Sequence, residues 1–159
     1  MFRPVKRENQ SLRLDEIEAV LEKNHWGVLS LYGVEGYPYG VPINYAYVDG
    51  VIVFHSAREG HKSEAMAGND KVAFTVVDRD EIVEEAYTTA YRSVIAFGRV
   101  KKLEGKEKIE AFIQMTNELT PSVSEKSNEE TVKNCTHADV YGIAVDHLSG
   151  KVGRLTPRD

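Results

Sequence analysis

Cysteine occurs once in these 159 residues, at Cys135. The chain can therefore form no internal disulfide and no thiolate zinc cluster. No apolar run approaches the roughly 20 residues that a membrane helix needs. The opening stretch, Met1-Phe2-Arg3-Pro4-Val5-Lys6-Arg7, has no apolar leader region. A soluble cytoplasmic protein is the expectation. Positive charge is in deficit, with 20 Lys and Arg against 25 Asp and Glu and a formal net charge of −5. That balance excludes wholesale nucleic-acid binding but leaves room for a local basic patch that holds one phosphate. His25, His137 and His147 have no metal-ligand spacing with one another. The acids Asp78, Asp80, Glu81, Glu84 and Glu85 fit no known cation loop and read as a solvated surface loop. No Gly-x-Ser-x-Gly elbow exists, so acyl hydrolysis of that type is set aside. Nothing repeats at a fixed period.

The length predicts one domain, spanning residues 1–159, able to bury roughly 70% of its unfolded surface. Residues 1–13 are basic and polar and predict an extended N-terminal arm. A helix follows over 14–24, with Leu14, Ile17, Val20 and Leu21 on one stripe. Strands then dominate. Trp26–Tyr32, with Trp26 read as a core residue, turns through Gly33-Val34-Glu35-Gly36 into an alternating strand over 37–48. There Val41, Ile43, Tyr45 and Tyr47 face one way, and Pro42, Asn44 and Ala46 the other. Pro42 cannot donate to a ladder, so it marks an edge, a bulge or a ligand-facing gap. Asp49-Gly50 predicts a hairpin into Val51–Ser56. A short helix over about 61–68 leads to strands over 71–77, 91–100 and 140–146. A helix over 105–119, a mobile loop over 120–128 and a short helix over 129–134 precede the last strand. Ser149-Gly150-Lys151 reads as a turn. Hairpin-length links predict a mainly antiparallel sheet, best satisfied by a small closed or split barrel with three or four peripheral α-helices.

The most informative stretch runs from Val51 to Ser63. An apolar strand, Val51-Ile52-Val53-Phe54-His55-Ser56-Ala57, passes through Arg58-Glu59 into Gly60-His61-Lys62-Ser63 at a helix start. Free amides and the helix dipole favour an anion there, and Gly60 allows close backbone approach. Lys62 at a helix start opposes the dipole, a conflict that a bound phosphate removes. No further basic cluster comparable to Gly60–Lys62 stands in the sequence.

Five segments in order resemble one family. They are Gly36-Tyr37-Pro38-Tyr39-Gly40-Val41-Pro42, Phe54-His55-Ser56-Ala57, Gly60-His61-Lys62, Arg92-Ser93-Val94-Ile95-Ala96-Phe97-Gly98, and Ser149-Gly150-Lys151. The chain resembles the flavin-binding split-barrel proteins related to pyridoxamine 5′-phosphate oxidase, nearest the nitroimidazole-resistance (Nim-type) branch. The resemblance implies a mainly β, six-stranded antiparallel split barrel of Greek-key type. It also implies a homodimer with FMN in a groove between the subunits. By motif position, Tyr39, Val41, Pro42 and Asn44 would line the isoalloxazine, and backbone N–H groups near Val41 to Ile43 would polarise it. His55, Ser56, His61 and Lys62 would surround the phosphate and ribityl chain. Tyr91, Arg92 and Ser93 would complete the pocket. The implied activity is flavin-dependent reduction of a nitroaromatic, 5-nitroimidazole-like or similar small acceptor, with His61 as proton donor. The alternative is a non-catalytic protein that binds or stores flavin, haem or the deazaflavin F420 on the same fold. Pyridoxamine 5′-phosphate oxidation is disfavoured because it needs a second phosphate site.

Overall fold

The computed structural model describes residues 2–157. Met1 of the expected arm, and Arg158 and Asp159 at the end of the expected domain, lie outside the described residues. Helix α1 (Leu14–Lys23) starts where the Glu16 carboxylate accepts the Arg13 backbone N–H at 2.7 Å. That bond caps one of the amides a helix start leaves open. Its stripe Ile17, Val20 and Leu21 is buried, whereas Leu14 sits one turn too early and is 60% exposed.

Strands β1 (Trp26–Tyr32), β2 (Pro38–Asn44), β3 (Ala46–Val48) and β4 (Val51–Ala57) follow. Helix α2 (His61–Gly68) leads into β5 (Lys71–Val83) and β6 (Thr88–Lys102). Helices α3 (Gly105–Leu119) and α4 (Glu125–Asn134) precede β7 (Ala138–Val152). All strand pairs are antiparallel, in the order β2-β1-β5-β6-β7-β4-β3.

The strand count is seven rather than six because the expected 37–48 strand breaks at Tyr45. Its first half pairs with β1 and its second with β4. The two ends of the sheet are thus consecutive in the chain, and the barrel is closed by covalent continuity at the split. Tyr45 anchors the crossing. Its N–H donates to His25 O at 3.0 Å, its hydroxyl donates to Leu21 O at 2.9 Å, and its ring meets Phe74 edge-on at 4.9 Å.

The barrel interior is filled by Leu29, Phe54, Phe74, Val76, Val94 and Ile143, each fully buried. Each such side chain contributes about 1.5–3 kcal/mol. Ile17 and Leu21 of α1, and Ala65 and Met66 of α2, join this core. A second, smaller core forms where Met115 of α3 meets Ala46, Val53 and Val140.

Four further expectations are corrected. Residues 78–83 are strand rather than loop: β5 and β6 continue as a hairpin, Arg79↔Arg92 through Val83↔Thr88, because cross-strand pairing satisfies their backbone, and Glu84 and Glu85 lie in the short 3-10 turn at its tip. Ser149–Lys151 lie within β7, paired to Ile95 through Ser93. Residues 125–128 belong to α4. Ser124 accepts the Ser127 N–H at 3.3 Å, and buried Asn128 donates to Asn117 at 2.9 Å and accepts from Thr120 at 3.2 Å. Trp26 is 61% exposed, since its neighbours Gly27, Leu29 and Leu31 hold the core-facing positions of β1.

Among the described residues, no helix is long and apolar enough to cross a membrane.

Candidate functional site

The β4–α2 junction is built by alternation and one glycine. In β4, Ile52, Phe54 and Ser56 point into the barrel and are buried, which turns His55 outward. The His55 ring lies 5.6 Å from Phe112 of α3, tilted by 27°. The chain then reverses at Gly60, whose φ of 120° and ψ of 172° suit only glycine, and α2 begins at His61.

Lys62 follows in the first turn of α2. Its ammonium is half-buried, and desolvation lowers its pKa. It makes no ion pair among the described residues. It lies close enough to His55 to lower that pKa too, after the larger effect of burial on the imidazole. A desolvated cation at the positive end of a helix dipole is unfavourable by itself. The junction thus holds a half-buried cation with no ion pair among the described residues.

His61 is held from two sides. Its ring stacks on Tyr39 at 4.2 Å and 13°, and its Nε2 lies 2.9 Å from Glu35 Oε2. Glu35 was not singled out in the sequence. It stands in the β1–β2 turn, and only the fold brings that turn to α2.

Strand β2 is an edge. Gly33 N–H donates to Tyr37 O at 2.9 Å and Tyr45 N–H to His25 O at 3.0 Å, so the odd-numbered residues between them form the hydrogen-bonded pairs with β1. Val41 and Ile43 therefore spend their N–H groups on β1. The free edge presents the N–H groups of Gly40 and Asn44, and Pro42 occupies a position with no donor to lose. This moves the expected backbone donors by one residue.

The sequence-predicted set is distributed over five places. Tyr39 and Val41 pack on the barrel core, and Tyr39 stacks on His61. Pro42 and Asn44 are on the outer sheet face, with Asn44 Nδ2 donating to His25 O at 3.1 Å. Tyr91 and Ser93 share that outer face with Lys151, which pairs opposite Ser93 and places its Nζ 5.6 Å from the Tyr91 ring centre. Arg92 alternates to the core side, where its Nε lies 2.8 Å from Asp78. Ser56 is buried on the strand face it shares with its cross-strand neighbour Asp139. His55, His61 and Lys62 gather at the β4–α2 junction.

A model of the family described as pyridoxamine 5′-phosphate oxidase matches residues 13–152. The chain belongs to that family. Among solved structures, it is similar to a candidate 5-nitroimidazole antibiotic resistance protein from Bacteroides thetaiotaomicron VPI-5482. The two are 26% identical with a TM-score of 0.72, over 89% of this chain and 86% of that one. An FAD- and haem-binding protein from Mycobacterium smegmatis shares the fold at 20% identity and TM-score 0.74, over 96% of this chain and 77% of the other. An FAD-binding protein from Mesorhizobium loti does so at 24% identity and TM-score 0.60, over 91% and 97%. No curated protein matches this chain in sequence. Within the pyridoxamine 5′-phosphate oxidase family, the split at Tyr45 and the β4–α2 junction are this chain's version of a split barrel.

Proposed function

We propose that this protein binds FMN and is a flavin-dependent reductase of small acceptors of the nitroaromatic class. The observation that carries the reading is Lys62, a half-buried cation without an ion pair among the described residues, in the first turn of α2. A phosphate there would neutralise the ammonium and accept from the helix amides. Lys62, the Gly60–His61 backbone and His55 would hold the phosphate. The exposed N–H groups of Gly40 and Asn44 at the β2 edge would face the polar rim of the ring system. Bound FMN would supply the electron transfer, and the protein's part is to bind, orient and tune it. Tyr39 and Glu35 fix the His61 ring, which can hold a proton at Nε2 beside the site. The likeness to the Bacteroides protein supports a nitro compound as acceptor.

The same reading includes a homodimer. The outer face of β1, β5 and β6 holds a largely apolar groove of about 670 Å³ lined in part by Tyr32, Ala73 and Phe97, with Tyr32 66% exposed, and farther along β5 it exposes Val77 at 58%. A two-fold partner on this face would cover apolar surface and enclose the edge of β2.

The test is the visible absorbance of the purified protein and of the ligand it releases on denaturation. Flavin bands with FMN released, followed by turnover of a reduced nicotinamide with a 5-nitroimidazole, are expected. A colourless protein that refuses added FMN would overturn the reading. Flavin binding without turnover would leave the non-catalytic alternative.

A further inference from the structure

We infer that the cavity between helices α3 and α4 and strand β4 is an adenosine subsite beside the Lys62 junction, with Phe112 stacking the base and Asn134 bonding its edge. Its place next to a flavin rests on the reading above. The cavity holds about 460 Å³, within the roughly 300–1,000 Å³ of small-molecule pockets. Its walls come from separate parts of the chain. Phe112 and Thr116 stand one turn apart on α3, and Thr131 and Asn134 one turn apart on α4. Asn128 donates to Asn117 and accepts from Thr120, which ties the two helices together. His55 of β4 and His137, next to the start of β7, close the cavity.

His55 belongs to both places. It lines the cavity, and it stands close enough to Lys62 and His137 for both charges to lower its pKa, after the larger effect of burial. His61 faces β2 through Tyr39, and His55 faces α3 through Phe112. A phosphate at Lys62 therefore has the β2 edge on one side and the cavity on the other. The lining matches adenine. The Phe112 ring offers an apolar face for stacking. The Asn134 carboxamide makes no hydrogen bond among the described residues and offers one donor side and one acceptor side. That pair complements the N6 amino group and N7 of adenine. His55 and His137 offer ring nitrogens to the ribose hydroxyls. The adenosine has two sources. One is the AMP half of FAD, joined to the flavin through its phosphate. The other is the AMP half of a nicotinamide dinucleotide that supplies the electrons.

Calorimetric titration of the full-length chain with adenosine tests this. Adenosine carries no phosphate, so it reads the cavity apart from Lys62. It is expected to bind the ligand-free and the FMN-loaded protein. F112L and N134A are each expected to weaken it by about 10-fold, the scale of one stacked base or one bidentate contact. F112Y, which keeps the ring, is expected to retain it, and circular dichroism checks that each variant folds. K62M is expected to leave adenosine within about 2-fold while it weakens FMN. FAD that binds at least about 10-fold tighter than FMN, an advantage lost in F112L and N134A, would assign the flavin dinucleotide. FAD no tighter than FMN, with oxidised nicotinamide adenine dinucleotide displacing adenosine from the FMN-loaded protein, would assign the donor. A wild type that binds no adenosine overturns the inference. So does adenosine binding unchanged in both F112L and N134A, or binding that neither dinucleotide exploits. FMN is titrated separately, so a protein that takes adenosine and refuses FMN sinks the flavin reading and not the subsite.

Discussion

Asp78 is the residue at which β5 slips against β6, and the slip turns its carboxylate onto Arg92. Pairing runs Val77↔Ser93 and then Arg79↔Arg92, which leaves Asp78 as the extra residue of a bulge. Its side chain is 2% exposed and lies 2.8 Å from Arg92 Nε and 3.3 Å from Lys23 Nζ. Asn24 Nδ2 donates to it at 2.9 Å. One carboxylate thereby ties the end of α1 to the β5–β6 hairpin.

Asp78→Asn is expected to destabilise the protein by about 2–4 kcal/mol, because it removes the buried charge that faces the Arg92 guanidinium and the Lys23 ammonium. Urea unfolding measures the change. The loss should also carry a pH signature. Burial pushes the Asp78 carboxyl up, but the hydrogen bonds from Asn24 and Lys23 and the charges of Lys23 and Arg92 outweigh it, so its pKa falls below 3.8. A carboxylate with a depressed folded pKa stabilises the fold above its unfolded pKa and ceases to as the pH falls through the folded one. The wild-type advantage over D78N should therefore shrink as the pH drops below about 4. An advantage constant down to full protonation would contradict this assignment.

Lys62→Met should weaken FMN binding by about 10- to 100-fold, the value of one charge-assisted hydrogen bond to phosphate. Quenching of flavin fluorescence reads it. Without ligand, the same variant should melt no lower than the wild type, because the native ammonium is desolvated and unpaired. A variant that melts lower and binds FMN normally would make Lys62 structural.

Gly98→Ala should cost about 2–3 kcal/mol by overpacking. A Cβ at Gly98 would collide with Ala144 O, at the point where β6 and β7 shift register. Gly36→Ala meets nothing within 4 Å, but φ there is +82°. It should cost only about 1–2 kcal/mol. Thermal melting of the pair ranks them, and a reversed order would argue against the β6–β7 packing described.

Ile95→Glu places a charge on the outer face of β6, where Ile95 is 37% exposed. On the proposed dimer, sedimentation should show a dimer for the wild type and a monomer for the variant, with loss of bound FMN in parallel. A variant that remains dimeric would move the interface elsewhere.

The repetitive and local features were legible in the sequence. In β2, alternation sets Val41 and Ile43 on the core-packed face and Pro42 and Asn44 on the other, because side chains of a strand alternate faces whatever surrounds them. The helix stripe of Ile17, Val20 and Leu21 and the glycine at the α2 start likewise follow from local geometry. The segments 78–85 and 149–151 misled because charge and turn residues describe what a stretch prefers alone, whereas a long neighbouring strand can recruit it.

The sequence by itself determined where most of the strands run, the cation at the α2 start and, through five ordered motifs, the family. Only the tertiary structure decided where the barrel splits, since Tyr45 must reach both Leu21 and Phe74. It alone set Arg92 against Asp78, His61 against Glu35, and Phe112 against His55. Such pairings join residues far apart in the chain, and periodicity carries no information about them. They are fixed by strand register, and a slip of one residue at a bulge reverses which side chains meet.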